Sequence, residues 1–241
     1  MIPVLLDARS SPEAFPDLAK APSGADGLVA VGGDLGLERL LFAYRHAIFP
    51  WYVEEQPILW WSPDPRAVLW PSALHLGRTT RRRLRNAGFS ISINQDFERV
   101  VRECAAPRAS GDGTWITPEM VAAYETMHRA GYVHSIECRQ GGVLVGGLYG
   151  VAIGAIFSGE SMFCHADEAS RAAMAHLCAL GFELIDCQVP NPHLTRLGAV
   201  RIPRLEYLSL LEELRDRPSP ALPPPSASKA MPLGGEALLL P

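Results

Sequence analysis

The sequence predicts an α+β fold with a mostly antiparallel sheet. Several short strand-like segments follow one another between residues 135 and 163, and predicted helices stand on both sides of them. Runs of strands bordered by helices, rather than a strict alternation of the two, are typical of this class. Residues 1–70 are rich in Pro, Gly and Trp and predict a small N-terminal α/β domain, whereas residues 71–215 predict a larger second domain.

One helix and several turns are expected in the N-terminal domain. Leu40, Leu41 and Tyr44 would share one face of a helix over residues 37–46, as their spacing indicates. Asp34, in the turn before this helix, or one of the residues that follow it can cap the helix. Beyond residue 49 the prolines disfavour a helix, so short strands and loops that carry aromatic side chains are predicted there.

The larger domain is predicted to contain five helices and a central run of strands. The helices are expected at 78–87, 95–105, 117–130, 168–180 and 204–215, and the strands at 89–94, 135–138, from 143, 153–163 and 184–187. Thr117 is a plausible helix cap, because Pro118 suits the first helical position, and Gly141-Gly142 predicts a hairpin turn. Residues 216–241, rich in Pro, Ala, Ser and Leu, predict a disordered tail without a catalytic role.

The composition indicates a folded, soluble protein. Of the 241 residues, 48% are apolar and 20% are charged, which argues against a disordered chain. The net charge of -4 argues against a generally basic nucleic-acid binder. Of the 22 basic residues, 20 are Arg. Arg favours bidentate contacts with phosphate, although a GC-rich genome produces the same bias.

The spacing of the cysteines and histidines argues against disulfides and metal sites. The five cysteines have no C-x-x-C spacing, which indicates reduced thiols in a cytoplasmic protein rather than a disulfide framework or a zinc site. The seven histidines are scattered without an H-E-x-x-H arrangement, so no metal is expected. No secretion signal or bilayer-spanning apolar run is visible, and no membrane partner is expected.

An apolar strand ends in polar residues at Asp186, Gln188 and Asn191. Alternate residues of a strand share a face, so Asp186 and Gln188 are expected to point to the same side. The carboxylate could accept a proton from a bound amine while the amide orients the nucleophile. The alternative is a structural carboxylate that ties down a loop, and periodicity alone favours that alternative.

Glu160 stands among apolar residues, two positions before Met162. A buried carboxylate is costly without partners. Glu160 therefore indicates either recognition of a polar or cationic group, such as an amine, or an ion pair within the core. Cys164 and Cys187 lack a histidine at a spacing that would indicate a nucleophile, so a core role is the simpler expectation for both.

Aromatic side chains and an Arg run together favour binding to a single-stranded RNA end. The flat side chains that could stack on nucleobases are Tyr44, Trp51, Trp60, Trp61 and Trp115. The candidate phosphate-binding side chains are Arg78, Arg81, Arg82, Arg83 and Arg85. Taken alone, the aromatic residues could simply pack in the core. Taken alone, the Arg run could simply form a solvated face of a helix. Their combination favours an RNA end, whose bases are free to stack.

A series of motifs resembles a known family over roughly residues 1–214. The motifs are Gly32-Gly33-Asp34-Leu35, Ile48-Phe49-Pro50-Trp51, Leu59-Trp60-Trp61-Ser62-Pro63-Asp64-Pro65-Arg66, Gly113-Thr114-Trp115-Ile116-Thr117, Gly146-Gly147-Leu148-Tyr149-Gly150, Gly159-Glu160-Ser161-Met162-Phe163 and Ile185-Asp186-Cys187-Gln188. In this order they resemble the leucyl/phenylalanyl-tRNA–protein transferase family.

The resemblance implies a GNAT-like acyltransferase fold for the larger domain. It also implies transfer of Leu, Phe and less readily Met from aminoacyl-tRNA to proteins that begin with Arg or Lys, which marks them for N-end rule degradation. The aminoacyl ester is already activated, so no cofactor is expected, and the main tasks are positioning and amine deprotonation. A monomer is expected.

The resemblance also implies roles for individual residues. Asp186 and Gln188 match positions that activate the acceptor amine, and Trp51 and Trp115 match positions that hold the terminal adenosine. Further substrate-binding candidates are Glu160, Leu148, Met162, Tyr44 and Asn191. The chain departs from the family pattern in a helix about one turn shorter after Ser170, in Arg171 for Lys, and in Cys164-His165 for Ser-Arg.

Two alternatives remain at this point. A GNAT-fold acetyltransferase that uses acetyl-CoA needs a glycine-rich pyrophosphate loop at the start of a helix, and residues 164–172 contain no glycine. A non-catalytic module that binds tRNA or protein N-termini would use Asp186 and Gln188 only structurally, so that Asp186→Ala would leave the protein folded with transfer intact.

Overall fold

The computed structural model of the protein describes residues 2–20, 27–106, 116–224 and 230–233. Its described parts form two sheets, one of four strands and one of eight, with helices packed against them. The mixed α+β class predicted from the sequence is confirmed.

The four-stranded sheet belongs to the N-terminal part of the chain. Its strands are β1 (Val4–Leu6), β2 (Leu28–Gly32), β3 (Phe49–Pro50) and β4 (Leu59–Trp61), in the order β1-β2-β4-β3. β1 is parallel to β2, and the other neighbours are antiparallel. Helix α1 (Leu37–Arg45) connects β2 to β3 and buries Leu40 and Tyr44, as the apolar spacing predicted.

The cap position of α1 falls on one of the residues after Asp34 and not on Asp34 itself. The N-cap position is Gly36, which has no side chain to offer. Asp34 Oδ1 accepts a hydrogen bond from the backbone N of Gly36 at 2.7 Å, and Oδ2 accepts one from Arg39 Nε at 3.0 Å. Asp34 therefore fixes the turn that leads into the helix.

The larger sheet has the strand order β11-β5-β10-β9-β8-β7-β6-β12. Its strands are β5 (Arg66–Leu69), β6 (Phe89–Ile93), β7 (Val133–Gln140), β8 (Val143–Ile153), β9 (Ile156–Cys164), β10 (Leu184–Gln188), β11 (Val200–Ile202) and β12 (Met231–Pro232). Among the strands of this sheet that the structure describes, only β9 and β10 form a parallel pair. The prediction of a mostly antiparallel sheet is therefore confirmed.

Six further α-helices lie in the described part of the larger region. They are α2 (Arg78–Asn86), α3 (Phe97–Ala105), α4 (Pro118–Arg129), α5 (Ala169–Ala179), α6 (Pro192–Arg196) and α7 (Arg204–Leu214), and short 3-10 helices cover Leu18–Lys20 and Pro71–Ala73. Thr117 caps α4 as predicted, because its Oγ1 accepts a hydrogen bond from the backbone N of Met120 at 3.2 Å.

One hydrophobic core runs from the small sheet into the larger one. Leu40, Phe49 and Trp60 of the N-terminal part belong to the same buried cluster as Tyr124 and Tyr149. β5 pairs with β10 and β11 in the larger sheet, although residues 66–69 fall within the segment that composition assigned to the N-terminal domain. The two parts share their interior, and the candidate site lies between them.

The described part of the tail lies against the larger domain, in contrast to the disordered tail expected from residue 216. Ser219 Oγ donates a hydrogen bond to the carbonyl of Gly154, and Asn94 Nδ2 donates one to the carbonyl of Pro223, each at 2.6 Å. β12 pairs with β6. The unpaired backbone at the edge of β6 is a ready partner for an extended segment, which composition alone did not reveal.

Helices of the described residues are all too short or too polar to cross a bilayer. The same residues contain no group of three or more side chains arranged to hold a metal ion.

Candidate active site

A cleft of about 570 Å³ opens where the small sheet meets β9 and β10. This volume lies within the range of about 300–1,000 Å³ typical of ligand sites. The cleft is lined by Phe49, Pro50, Trp51, residues 159–164, Ser170, residues 187–189, Asn191, His193 and Leu194. Most of the lining surface is apolar, so the few polar groups within it are candidates for orienting a ligand.

Glu160 is the carboxylate of the cleft wall, and it is only 8% exposed. Its Oε1 accepts hydrogen bonds from Tyr44 Oη and Gln188 Nε2, both at 2.8 Å, and its Oε2 accepts one from Tyr124 Oη at 2.7 Å. None of the cationic side chains that the structure describes forms an ion pair with it. The described residues therefore do not provide the ion pair within the core that was one of the two sequence interpretations of Glu160.

Burial raises the pKa of Glu160 to about 7, and the hydrogen bonds from Tyr124 and Tyr44 hold it from rising further. Burial, and next the neighbouring Glu160 carboxylate, raises the pKa of both tyrosines well above its usual range. Both hydroxyls therefore stay protonated as donors, while Glu160 itself can exchange a proton near neutral pH.

Gln188 reaches Glu160 because of a local backbone irregularity. Its φ is +59°, and the pairing of β10 with β5 shifts register between Asp186 and Gln188. Positive φ is uncommon for a residue other than glycine and often marks a functional position. The simple alternation that predicted a shared face for Asp186 and Gln188 fails here, and the two side chains contact different groups.

Asp186 is enclosed by donors and is 1% exposed. Oδ1 accepts hydrogen bonds from Arg66 Nε at 2.8 Å and from the backbone N of Gln188 at 2.9 Å. Oδ2 accepts hydrogen bonds from Arg66 Nη2 at 2.6 Å, Tyr207 Oη at 2.9 Å and Ser158 Oγ at 3.3 Å. Asp186 does not line the cleft, but it holds the backbone at the start of the Gln188 turn.

Arg66 is the partner of Asp186 that sequence reasoning missed. Its guanidinium lies between the rings of Phe49 and Tyr207, 4.8 and 4.7 Å from their centroids. Arg66 Nη1 also donates to the carbonyl of Ala47 at 3.2 Å. One side chain thus joins Asp186 of β10 to the segment that leads into the cleft wall at Phe49. The apolar, strand-like residues that follow Arg66 could have indicated that this side chain is buried. A buried Arg requires a partner, so a carboxylate elsewhere in the chain would have been expected beside it.

Tyr44 and Tyr124 meet at Glu160, and their hydroxyl oxygens are 2.9 Å apart. The sequence interpretation offered the flat face of Tyr44 to a nucleobase. The structure instead buries the ring and directs the hydroxyl to Glu160. Tyr124 was missed, although it shares the buried face of α4 with Met120 and Met127.

The tryptophans predicted to stack on bases have different surroundings. Trp51 is 41% exposed and lines the cleft, and Trp61 packs edge-on against it with ring centroids 5.8 Å apart. Trp60 is 0% exposed, so its prediction as a stacking face is wrong, because β4 turns its side chain into the core. Trp115 lies outside the described residues.

Of the remaining substrate-binding candidates, some line the cleft and one is buried in the core. Met162 and Asn191 line the cleft, and Asn191 Oδ1 caps α6 by accepting a hydrogen bond from the backbone N of Leu194 at 2.9 Å. Leu148 is buried in the core. His193 was missed. It lines the cleft, and its Nε2 has no hydrogen-bond partner among the described residues.

Two cysteines, Cys164 and Cys187, line the cleft. Cys187 is buried, and burial raises the pKa of its thiol. Cys164 is exposed at the cleft, where its Sγ lies 3.0 Å from the carbonyl of Ala166. The core role expected for both thiols is confirmed for Cys187 and is wrong for Cys164, which lies at the surface.

The predicted basic helix exists as α2. Arg78, Arg82, Arg83 and Arg85 are exposed on it, whereas Arg81 is half-buried and donates from Nε to the carbonyl of Leu76 at 2.9 Å. Arg83 Nη1 also lies 3.3 Å from Glu168 Oε1. Glu168 immediately precedes α5, which carries Ser170 into the cleft wall. The basic helix is therefore tied to one wall of the cleft.

Comparison with known families identifies relatives along most of the chain. A family model described as leucyl/phenylalanyl-tRNA protein transferase matches residues 68–212, and a model of the N-terminal domain of the same transferase matches residues 33–64.

Two curated relatives carry the name leucyl/phenylalanyl-tRNA–protein transferase. The protein from Azotobacter vinelandii is 55% identical over 211 residues, which cover 86% of this chain and 93% of the relative. The protein from Pseudomonas entomophila is 53% identical over 211 residues, with the same coverage of 86% and 93%.

Among solved structures, a GCN5-related N-acetyltransferase from Kribbella flavida aligns with a TM-score of 0.35 and 13% identity, covering 67% of this chain and 59% of that one.

Proposed function

This chain belongs to the leucyl/phenylalanyl-tRNA protein transferase family, and from that premise we propose that it moves Leu or Phe, and less readily Met, from aminoacyl-tRNA to a protein N-terminus. The acceptors would be proteins that begin with Arg or Lys, and the product would enter the N-end rule degradation pathway. We place this reaction in the cytoplasm and assign it to a monomer.

The observation that carries the proposal is the buried Glu160–Gln188 pair in the wall of an apolar cleft. An apolar cleft accepts a Leu or Phe side chain, while an uncompensated carboxylate favours a substrate amine. Both substrates of the proposed reaction carry an α-amine, and one of them carries an apolar side chain. The combination of groups in the cleft therefore fits the substrates.

The chemistry requires little beyond positioning and proton transfer. The ester between an amino acid and the ribose of tRNA is already activated, so attack by an amine needs neither ATP nor a metal. Correct orientation of two bound reactants supplies much of the acceleration in such reactions. A group that removes a proton from the attacking amine supplies most of the remainder.

We assign Gln188 to orientation of the acceptor amine and Asp186 to positioning of Gln188. Five donors occupy the acceptor positions on both oxygens of Asp186. Its hydrogen bond from the backbone N of Gln188 fixes the turn that directs the amide toward Glu160. Direct proton acceptance by Asp186, expected from the sequence, would require the loss of one of these donors.

We assign Trp51, with Trp115, to the terminal adenosine, because Trp51 combines exposure with a place in the cleft wall. The exposed Arg side chains of α2, with Arg81, would hold phosphates of the acceptor stem.

Tyr44 would act on the substrate through Glu160. Leu148, Met162 and Asn191 would border the aminoacyl group, and an apolar pocket separates side chains that differ by a methylene by only about 1–3 kcal/mol.

One assay tests the proposal directly. The full chain is incubated with labelled Leu-tRNA and an Arg-starting peptide, without ATP or metal. We expect label in the peptide, and none in a matched peptide whose first residue is Glu. A folded protein that transfers no label to the Arg peptide would disprove the proposed function. Labelled acetyl-CoA in place of Leu-tRNA tests the acetyltransferase alternative, for which we expect no transfer.

A further inference from the structure

We propose that Glu160 is the general base of the transfer reaction, taking the proton from the acceptor amine. This inference rests on the proposed function and assigns a catalytic step to a residue that sequence reasoning considered only for binding. Three observations carry it: the closed surroundings of Asp186, the one open position on Glu160, and the absence of a cation beside Glu160 among the described residues.

Asp186 is poorly placed to accept a proton. A carboxylate has about four lone-pair positions for hydrogen-bond donors, and five donors already contact Asp186, two of them from Arg66. The positive charge of Arg66, 2.6 Å away, already compensates the negative charge of Asp186. Asp186 is also absent from the cleft wall, so an amine in the cleft does not meet its oxygens.

Glu160 differs from Asp186 in each of these respects. Three donors contact it, from Tyr44, Tyr124 and Gln188, which leaves about one of four acceptor positions free. Glu160 lines the cleft, where a substrate amine would lie. Burial raises the pKa of Glu160, the hydrogen bonds from Tyr124 and Tyr44 lower it, and the neighbouring Asp186 carboxylate raises it.

The groups that face Glu160 come from four elements. Tyr44 lies on α1, Tyr124 on α4, Tyr149 on β8, and Gln188 and Asp186 on β10. The tyrosines remain protonated because burial raises the pKa of each. Burial raises the pKa of Glu160 to about 7, which allows this carboxylate to gain and lose a proton near neutral pH.

The proposed step conserves atoms and electrons. The acceptor enters as an ammonium ion, and the Glu160 carboxylate takes one of its protons. The nitrogen lone pair attacks the carbonyl carbon of the aminoacyl ester, and a C–N bond forms. Collapse of the tetrahedral intermediate breaks the bond to the ribose oxygen. The proton held by Glu160 returns to that oxygen as it leaves, and the second proton of the attacking nitrogen goes to water.

The first test compares Glu160→Gln with the wild type in single-turnover transfer of Leu from saturating Leu-tRNA to saturating Arg-starting peptide. The wild-type rate is expected to rise with pH up to about 7 and then to level off, because the base must be ionised. Glu160→Gln should lower the plateau rate by about 10²–10⁴-fold and remove the inflection. Glu137→Gln is the matched control, because Glu137 is also a buried carboxylate, held by Ser92 and Ser135 outside the cleft.

The second test shifts the pKa of Glu160 without removing the carboxylate. Tyr124→Phe deletes one of the donors that lower it, so the inflection should move to higher pH. Tyr149→Phe is the control, since the buried Tyr149 hydroxyl has no hydrogen-bond partner in the part of the chain that the structure describes. Neither substitution alters the acceptor peptide. A difference in the pH of the inflection between the two variants therefore reports a group of the enzyme and not the amine of the peptide.

The outcomes separate the inference from the proposed function. Absence of transfer by the folded wild type contradicts the function itself. A folded Glu160→Gln variant that keeps the wild-type plateau and inflection overturns the base assignment while the function stands. So does a variant that raises only the KM for Leu-tRNA, because Glu160 would then bind the aminoacyl group without taking a proton. A Tyr124→Phe variant whose inflection stays at the wild-type pH likewise overturns it.

Discussion

Asp186 and Arg66 form a buried ion pair whose two side chains are 1% and 2% exposed. Removal of one partner from such a pair leaves an uncompensated buried charge, which costs about 3–5 kcal/mol. We therefore expect Asp186→Ala to lower the free energy of unfolding by about 3–5 kcal/mol, as measured by urea denaturation at pH 7, and to abolish transfer.

Gln188→Ala provides the contrast for that prediction. It removes one hydrogen bond to Glu160, a loss of about 0.5–1.5 kcal/mol, but it should still reduce the transfer rate strongly. An Asp186→Ala variant as stable as the wild type would contradict the positioning role. So would a Gln188→Ala variant with unchanged transfer.

Single residues show where sequence reasoning about the site succeeds and where it fails. Glu160, Asp186 and Gln188 could be found because each is polar within or at the end of an apolar stretch. Arg66 and Tyr124 could not be assigned, because their partners lie 120 and 36 residues away along the chain. The positive φ of Gln188 also escaped prediction, since a bulge depends on the neighbouring strand as well as on local sequence.

At the scale of elements, α2 presents a strongly basic surface to solvent. Arg82 and Arg83 are exposed on it, and removal of an Arg that binds a phosphate should reduce the salt dependence of RNA binding. We expect the double variant Arg82→Ala/Arg83→Ala to bind tRNA more weakly and to lower the salt slope by about one for each phosphate no longer bound, as measured by filter binding at several salt concentrations.

Arg129→Ala is the matched control for the basic helix. Arg129 is an exposed Arg on α4, where it donates to Thr126, and its removal changes the net charge by one without touching α2. The phosphate role of α2 is refuted if the double variant and this control have the same salt slope.

Helices were easier to predict than strands in this chain. α4 and α7 have clear apolar spacing or caps, and both lie where the sequence predicted them. The three-residue strand β11 and the five-residue helix α6 were not identified, because segments of this length carry too little periodicity. Their positions depend on pairing and packing with distant parts of the chain.

At the scale of the whole molecule, the described part of the tail contributes hydrogen bonds to the larger domain and does not line the cleft. The carbonyl of Pro223 accepts from Asn94, and Ser219 donates to Gly154. We expect a chain that ends at Arg217 to retain its transfer rate while its unfolding free energy falls by more than about 1–3 kcal/mol. Loss of these two hydrogen bonds contributes about 0.5–1.5 kcal/mol each, and loss of the pairing between β12 and β6 adds to it.

Thermal denaturation and the transfer assay together check this expectation. A matched change within the tail is Ser219→Ala, which removes one of the two hydrogen bonds and should produce the smaller part of the effect. Loss of transfer in the shortened chain at a temperature where it remains folded would show that the tail has a role in the reaction.

Arg66 also has a consequence for how the chain could be divided. A cut just before this residue would leave Tyr44 and Trp51 on one fragment, and Glu160 and Gln188 on the other. Neither fragment would contain a complete cleft, and each would expose half of a shared interior. Catalysis by a mixture of the two fragments would therefore report their reassembly, which makes this enzyme a natural candidate for a split-protein reporter.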